Sequence, residues 1–168
     1  SVFGVFFEVS LDGGATWQPS LSGATSIVLG ESPKPHFFTT EVLPPGNGVY
    51  VSPADFHAAY ANGIIIQNVS HKRFTQGLPP PPPGGTQVHN FGSTVEMDVS
   101  QDGGLTFQHV SAPASVAARV THVSDDGTTR FFDTEMLSLN IAGGGLPAGV
   151  MVRESPTRAS LGRTSIES

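Results

Sequence analysis

Val9-Ser-Leu-Asp-Gly-Gly-Ala-Thr-Trp-Gln18 recurs ninety residues later as Val99-Ser-Gln-Asp-Gly-Gly-Leu-Thr-Phe-Gln108, with seven of ten positions identical. In both stretches Asp and Gly favour a tight turn with positive φ, and the aromatic residue then leads the chain back toward a core. The residues before each turn alternate between apolar and polar, as Val5, Phe7 and Val9 do in the first stretch. A period of two is typical of an antiparallel strand with one buried face. The sequence therefore predicts one β-hairpin, present twice.

Two further blocks repeat in the same order. His36-Phe-Phe-Thr-Thr-Glu-Val-Leu43 recurs as Arg130-Phe-Phe-Asp-Thr-Glu-Met-Leu137, and Gly63-Ile-Ile-Ile-Gln67 is matched more weakly by Gly149-Val-Met-Val-Arg153. Three blocks whose offsets drift indicate a duplicated unit with changes in loop length. We predict two copies, at residues 1–76 and 87–168.

Between the copies lies Gly77-Leu-Pro-Pro-Pro-Pro-Pro-Gly-Gly85. Consecutive prolines favour polyproline II, a stiff rod that rises about 3.1 Å per residue. Residues 77–86 are therefore predicted to be a linker. It either separates two domains or carries the chain across the end of one sandwich, and the sequence leaves both open.

The predicted fold class is all-β, with two tandem antiparallel β-sandwich-like repeats joined by the polyproline linker. Further strands are predicted at residues 26–29, 37–43, 64–69, 117–123, 131–139 and 150–153. One short helix is predicted in the first repeat. Ser52 would be its N-cap and Pro53 its first residue, with residues 54–61 helical before Asn62 and Gly63 end it.

Composition excludes several classes of function. The formal net charge is −6 with only 8 Lys and Arg in 168 residues, too few for the basic face of a nucleic-acid-binding protein. No stretch approaches the roughly 20 apolar residues of a membrane-spanning helix. The chain has no cysteine, which excludes disulfides, thiolate metal sites and cysteine nucleophiles. Few lysines and many Thr, Ser and Gly favour an exterior location, and the Phe-rich start predicts that a leader has been removed.

Both repeated turns fit the pattern Ser-x-Asp-x-Gly-x-Thr-aromatic. Its residues are Ser10, Asp12, Gly14, Thr16 and Trp17 in the first copy and Ser100, Asp102, Gly104, Thr106 and Phe107 in the second. The pattern resembles the Asp box of sialidase-like proteins, where the box is a folding element remote from the active site. The resemblance implies a structural role for all ten residues.

From this we expect Trp17 and Phe107 to be buried beside their own hairpins. The carboxylates of Asp12 and Asp102 are expected to accept hydrogen bonds from amides of the turns. A calcium-binding loop is the alternative interpretation of these turns, and also of Asp125-Asp-Gly127. Otherwise no cofactor is predicted.

A second resemblance covers most of the chain. Residues 6–17, 135–139 and 146–157 are similar to segments of uncharacterised bacterial exported proteins, which carry such β-rich units in series and often end in a surface-sorting signal. The resemblance implies a secreted protein, extracellular or at the cell surface. It brings no activity and no catalytic residues.

The sequence predicts that the protein is not an enzyme. No nucleophile elbow surrounds a serine and no pair of carboxylates lies in a recognisable catalytic frame. The six histidines lack the spacing of metal ligands, so no metal site is predicted. Asn68-Val-Ser70 is a glycosylation sequon, for which an unmodified asparagine is the favoured interpretation in a bacterial protein.

The leading functional expectation is a non-enzymatic structural subunit of an extracellular or cell-surface assembly, forming a homo-oligomer or homopolymer. The first strand would be an open edge that pairs with another subunit between Arg153 and Ile166, and Val5, Phe7 and Val9 would fill pockets there. The alternative is a carbohydrate- or surface-polymer-binding module of a larger exported protein. That alternative calls for exposed aromatic residues, of which Tyr50 and Tyr60 are the candidates.

Overall fold

The computed structural model describes residues 2–21, 25–29, 42–46, 48–52 and 57–167, and in these residues β-strands dominate. A 3₁₀ turn lies at Ala61–Gly63. The strands are β1 Val2–Val5, β2 Phe7–Ser10, β3 Gln18–Pro19, β4 Thr25–Leu29, β5 Val49–Val51, β6 His57–Ala59, β7 Ile65–Lys72, β8 Thr86–Ser100, β9 Gln108–Asp125, β10 Thr129–Ile141, β11 Met151–Glu154 and β12 Ser160–Glu167. The predicted all-β class is confirmed. Within the described residues, no helix has the length and apolar character needed to cross a membrane.

All strands belong to one antiparallel sheet whose order is β12-β1-β4-β5-β7-β8-β9-β10-β11-β2-β3, with β6 beside β7. Because β12 also pairs with β10, the path from β12 through β1, β4, β5, β7, β8, β9 and β10 returns to its start. Eight strands thus form a closed circuit, and closure leaves these strands without a free edge along their paired residues.

The two predicted copies contribute to the same sheet. β1 lies between β4, from its own half of the sequence, and β12, from the other half. β2 likewise lies between β3 and β11, and β7 pairs with β8. Strands from the two predicted copies are therefore neighbours in one sheet. In the first copy of the second repeated block, residues 36–43, the described residues include only Val42 and Leu43, so the strand predicted at 37–43 lies largely outside them.

The core follows from the two-residue period of the long strands. Inward positions of β8, β9 and β10 carry the apolar residues Val95, Met97, Val99, Val110, Ala112, Ala114, Val116, Met136, Leu139 and Ile141. Burying a side chain such as Val, Ile or Met stabilises the fold by about 1.5–3 kcal/mol. A second, smaller cluster joins Leu43, Val120 and Phe132, with Ile166 packed against it.

The polyproline segment lies against the sheet near this smaller cluster. Pro81 is fully buried, and Leu78 forms an isolated bridge with Leu43. The amide of Gly84 donates to Nδ1 of His122 at 3.0 Å, and the amide of His122 donates to the carbonyl of Gly85 at 2.9 Å. The linker is therefore docked at both ends, while its polyproline II conformation stays a prediction.

The helix predicted at residues 54–61 is wrong over the part that the structure describes. His57–Ala59 form β6, which pairs with β7, and Ala61–Gly63 form the 3₁₀ turn. Ala58 and Tyr60 are both buried, which is the two-residue period of a strand. An eight-residue helix has little stability of its own, so pairing with β7 decides the conformation. Residues 53–56 lie outside the described residues.

The predicted open edge at the N-terminal strand is also wrong. Val2 pairs with Val28 on one side and with Arg163 on the other, and Glu8 pairs with Pro19 and Arg153. The region that was expected to supply these partners from another subunit supplies them from the same chain.

The residues predicted to mediate assembly make contacts within their own chain. Val5, Phe7 and Val9 are at most 6% exposed, so they are not available to fill pockets on a neighbour. Ile166 packs on the smaller cluster, and Arg153 forms an ion pair with Glu8. These residues are used within the chain because the C-terminal strands β11 and β12 pair with β2 and β1.

Candidate functional site

A groove of about 510 Å³ crosses the outer face of the sheet where β8, β9 and β10 run side by side. Its floor consists of small residues in adjacent register: Ala117 pairs with Ser138, and Gly92 pairs with Ser115. Asn90 and Asn140 complete the same two rows, and Thr75 and Gln76 add a further wall. Small side chains on three neighbouring strands leave a depression above the sheet.

Two local features of the backbone shape the groove. The register of β10 against β9 shifts between Met136 and Ser138, and such a bulge bends a strand and increases its twist. At the other wall, Thr75 is tied to β8 because its Oγ1 accepts a hydrogen bond from the amide of Gly92 at 3.1 Å. A Cβ at position 92 would lie 3.1 Å from that oxygen, so glycine permits the close approach.

Four polar side chains around the groove have no protein partner among the described residues and can bind a ligand. In the part of the chain that the structure describes, the side chains of Gln76, Asn90, Ser115 and Asn140 form no hydrogen bond with protein groups, and all four are exposed. Gln76 has φ of 59°, a left-handed conformation that residues with a side chain rarely adopt. Such conformations cluster at functional sites, where the surrounding structure holds them.

The groove is electrically neutral. None of the described residues that line it is charged. One row further along the same face, Arg119 and Glu135 neutralise each other, with 2.9 Å between Nη1 and Oε2. A ligand in the groove therefore meets amides, hydroxyls and small apolar surfaces.

An aromatic cluster supports the groove from below. Phe91 lies edge-on to Phe74 with ring centroids 5.7 Å apart, and Phe74 contacts Tyr50 in the same way at 5.6 Å. Tyr50 and Tyr60, the candidates for stacking on a ligand, are 5% and 4% exposed. Both belong to the core, and neither ring is available to a ligand.

The two repeated turns are called turn 1 (residues 10–17) and turn 2 (residues 100–107). In turn 1 the hydroxyl of Ser10 donates to Oδ1 of Asp12 and accepts from the amide of Gly14, both at 2.8 Å. Asp12 accepts from the amide and the hydroxyl of Thr16 at 2.8 and 2.6 Å. Turn 2 has the same four hydrogen bonds. The prediction that both aspartates accept hydrogen bonds from turn amides is confirmed.

These hydrogen bonds stabilise the charged carboxylates. The side chain and amide of Thr16, and then the Ser10 hydroxyl, lower the pKa of Asp12 to about 2, and the matching groups do the same for Asp102. Asp126 in the turn after β9 accepts from the amides of Thr128 and Thr129, which lowers its pKa. Among the described residues, no group of three or more His, Asp or Glu is placed to hold a metal ion.

The aromatic residues of the turns were predicted to be buried, and this is wrong for Phe107, which is 40% exposed. Trp17 is half-buried: its Nε1 donates to the carbonyl of Gly14 at 3.1 Å, and the guanidinium of Arg153 lies 4.1 Å from its ring centroid. The neighbouring strand also differs, since it presents Gln67 at the position that Arg153 occupies beside turn 1.

Sequence reasoning missed the groove. A signal was present, because β8, β9 and β10 each carry a pair of small or amide residues two positions apart: Asn90 and Gly92, Ser115 and Ala117, Ser138 and Asn140. Their alignment in neighbouring rows depends on strand register, which the pattern alone does not supply. Comparisons with protein-family models, with curated proteins and with solved structures returned no match.

Proposed function

We propose that this chain is a non-enzymatic binding module of an exported protein and that the groove on β8, β9 and β10 holds a segment of a neutral carbohydrate polymer. One observation carries the proposal: the groove is lined by the amide side chains of Gln76, Asn90 and Asn140 and by the hydroxyl of Ser115, none of which has a hydrogen-bond partner in the described part of the chain. Its volume lies within the range of about 300–1,000 Å³ that is typical of ligand sites.

The chemistry of the lining matches that of a sugar. Each sugar hydroxyl both donates and accepts a hydrogen bond, and the amides of Asn90, Asn140 and Gln76 each offer two donors and an acceptor. A charged ligand would meet no compensating charge on the described residues of the groove. A wholly apolar ligand would remove water from these amides without replacing its hydrogen bonds. A neutral, hydroxyl-rich ligand avoids both costs.

The affinity is expected to be modest. The site lies on strands, so little conformational entropy is lost on binding. Among the described residues, however, no ring is placed for stacking on the open side of the groove, since Phe91 packs inward against Phe74. We expect a Kd on the order of 0.1–1 mM, which corresponds to about 4–5.5 kcal/mol.

The test is isothermal titration of the full chain with neutral linear oligosaccharides, cellohexaose and mannohexaose, and with the charged probe trigalacturonate. Binding of a neutral probe, with none of the charged one, is the expected result. Asn90→Ala combined with Asn140→Ala should weaken that binding at least tenfold. The matched control, Thr94→Ala with Ser111→Ala, lies on the same face outside the groove and should leave binding unchanged.

Two outcomes contradict the proposal. One is that neither neutral probe binds at millimolar concentration. The other is that the groove variant and the control variant bind equally, while both melt at the same temperature as the parent protein.

The exported location and the absence of catalysis enter this proposal from composition and from the resemblance to exported repetitive proteins. The structural-subunit interpretation loses the contact on which it depended, because both edges of the N-terminal strand are occupied within the chain. We therefore favour the binding module over self-assembly through that strand.

The proposal also retains the interpretation of residues 1–76 and 87–168 as two copies of one unit. Its support is the matching register of the two hairpins. Glu8 pairs with Pro19 and Val9 with Gln18, and the residues ninety positions later pair in the same way.

A further inference from the structure

The strand beside each turn comes from the other half of the sequence. β11, from the second half, pairs with β2 so that Val152 lies opposite Val9 and Arg153 opposite Glu8. β7, from the first half, pairs with β8 so that Ile66 lies opposite Val99 and Gln67 opposite Asp98. The two neighbours occupy the same register, and each crosses from one half to the other.

The two halves also make matching hydrogen bonds to each other. The amide of Gly13 donates to the carbonyl of Gly149 at 3.0 Å, and the amide of Gly103 donates to the carbonyl of Gly63 at 2.9 Å. Gly149 and Gly63 both have left-handed φ, of 80° and 77°.

Space at these two glycines is restricted in the same way, by the opposite half of the chain. A Cβ on Gly149 would lie 2.9 Å from the carbonyl oxygen of Leu11, and a Cβ on Gly63 would lie 3.2 Å from the amide nitrogen of Gly103.

The next strand beyond each of these neighbours also occupies an equivalent position. β10 pairs with β11 through Ile141 and Val152, and β6 pairs with β7 through Ala58 and Ile66. Each turn-bearing hairpin is thus extended by two strands from the other half.

We infer that each half carries an interaction surface whose partner is a second copy of the repeat unit. In the first half this surface is the edge of β2 that pairs with β11, and in the second half it is the edge of β8 that pairs with β7. In the present chain the linker keeps the two partners together, so the surface is satisfied internally. A second copy of the chain can supply the same strands when the linker prevents the two halves from meeting.

The first test shortens the linker. Deleting residues 79–83 removes about 15 Å of reach at the rise of a polyproline II rod. The control replaces the five prolines with a Gly/Ser segment of equal length. Light scattering is expected to give twice the parent mass of 17.5 kDa for the deletion and the parent mass for the control. A folded, monomeric deletion variant overturns exchange between chains.

The second test keeps the parent length and remains decisive if the deletion variant fails to fold. A protease site inserted between Pro83 and Gly84, which are both exposed, allows the folded chain to be cut into its halves. The cut halves are expected to elute as one complex under native conditions. Separation of the halves at micromolar concentration contradicts the inference.

Matched glycine variants of the cut protein test the reciprocity. Gly149→Ala and Gly63→Ala should each raise the dissociation constant of the halves at least tenfold. Gly143→Ala is the control, because Gly143 has a similar φ of 74° and its added Cβ would have no atom of a described residue within 4 Å. If the control weakens association as much as the other two, or if only one of the two glycines matters, the surfaces are not equivalent and the inference fails.

Discussion

Turn 1 and turn 2 have the same hydrogen-bond network but differ in what covers their aromatic residue. Ser, Asp, Gly and Thr occupy equal positions in both, and the backbone conformation is correspondingly the same, with Gly14 and Gly104 both at φ of 95°. Trp17 has Arg153 over its ring, whereas Phe107 is 40% exposed. The local sequence therefore determines the turn, and the strand from the other half determines whether the aromatic side chain is covered.

The largest expected effect concerns the two aromatic residues. Trp17→Ala removes a half-buried ring, the hydrogen bond from its Nε1 to Gly14 and the contact with Arg153. We expect a loss of about 2–3 kcal/mol in the free energy of unfolding, below the range for a fully buried aromatic residue. Phe107→Ala should cost less than about 1 kcal/mol because that ring is already partly hydrated. Urea titration of both variants checks the difference, and equal losses would contradict it.

A second difference between the halves lies one residue beyond Arg153. Glu154 is buried, its carboxyl accepts a hydrogen bond from Ser160 at 3.1 Å, and burial, followed by the nearby Glu135 and Glu8, raises its pKa to about 7. In β7 the register shifts between Gln67 and Ser70, and Val69 is the buried residue there. A bulge in one half thus places a valine inside, while the unbulged strand of the other half buries a carboxyl group.

This carboxyl group makes stability depend on pH. The folded state binds the proton of Glu154 more tightly than the unfolded state does. The stabilisation of the folded state by this proton is therefore full below pH 4.5 and is lost as the pH rises through about 7. Glu154→Gln should therefore be more stable than the parent at pH 8, by roughly 1–2 kcal/mol after solvent screening. At pH 4 the two should be similar. Thermal melts across this range provide the measurement, and a constant difference between the two proteins would refute the assignment.

Much of the fold was predictable because many strands have an apolar inward face. Alternation predicted β2, β4, β7, β10 and β11 close to their observed positions. It missed β12, whose inward positions include Ser160, Gly162 and Thr164 and so carry little apolar signal. Without β12, the sequence pattern gives no sign that the sheet closes onto β1, and it therefore predicts an open edge at the N-terminal strand.

The site was less predictable for a related reason. The turns are local, and their Ser, Asp and Thr could be assigned from the sequence because each hydrogen bond spans at most four residues. The groove depends on the registers of β8, β9 and β10, which bring together residues up to fifty positions apart, such as Asn90 and Asn140. No pattern along the chain fixes such a register.

A smaller effect is expected from removing the contact between Arg153 and the ring of Trp17. Arg153→Gln gives turn 1 the residue that β7 presents beside turn 2. The variant loses the contact with the Trp17 ring and the ion pair with Glu8, whose carboxylate is largely buried. We expect a loss of about 1–2 kcal/mol. The converse variant, Gln67→Arg, should gain less than about 0.5 kcal/mol, since Phe107 is more exposed and Asp98 already pairs with Asn68 and His109. If Gln67→Arg stabilises the protein as much as Arg153→Gln destabilises it, the aromatic residue is not what distinguishes the turns.

The smallest expected difference is between Asp12 and Asp102, and here the two turns should agree. Each carboxylate accepts the same hydrogen bonds, and each has its pKa lowered from 3.8 to about 2 by Thr and Ser partners in its own turn. A lowered pKa means that the stabilisation is present above pH 3.8 and is lost as the pH falls through about 2. Asp12→Asn and Asp102→Asn should therefore destabilise the protein at pH 7 and lower its melting temperature equally. In strong acid the stability of both variants should approach that of the parent protein. Should Asp12→Asn have a clearly larger effect than Asp102→Asn at pH 7, the cover from Arg153 would be acting on the turn as well as on its aromatic residue. The hydrogen bonds of turn 1 and the contact between Arg153 and Trp17 would then stabilise the protein together, as one coupled unit beside β11.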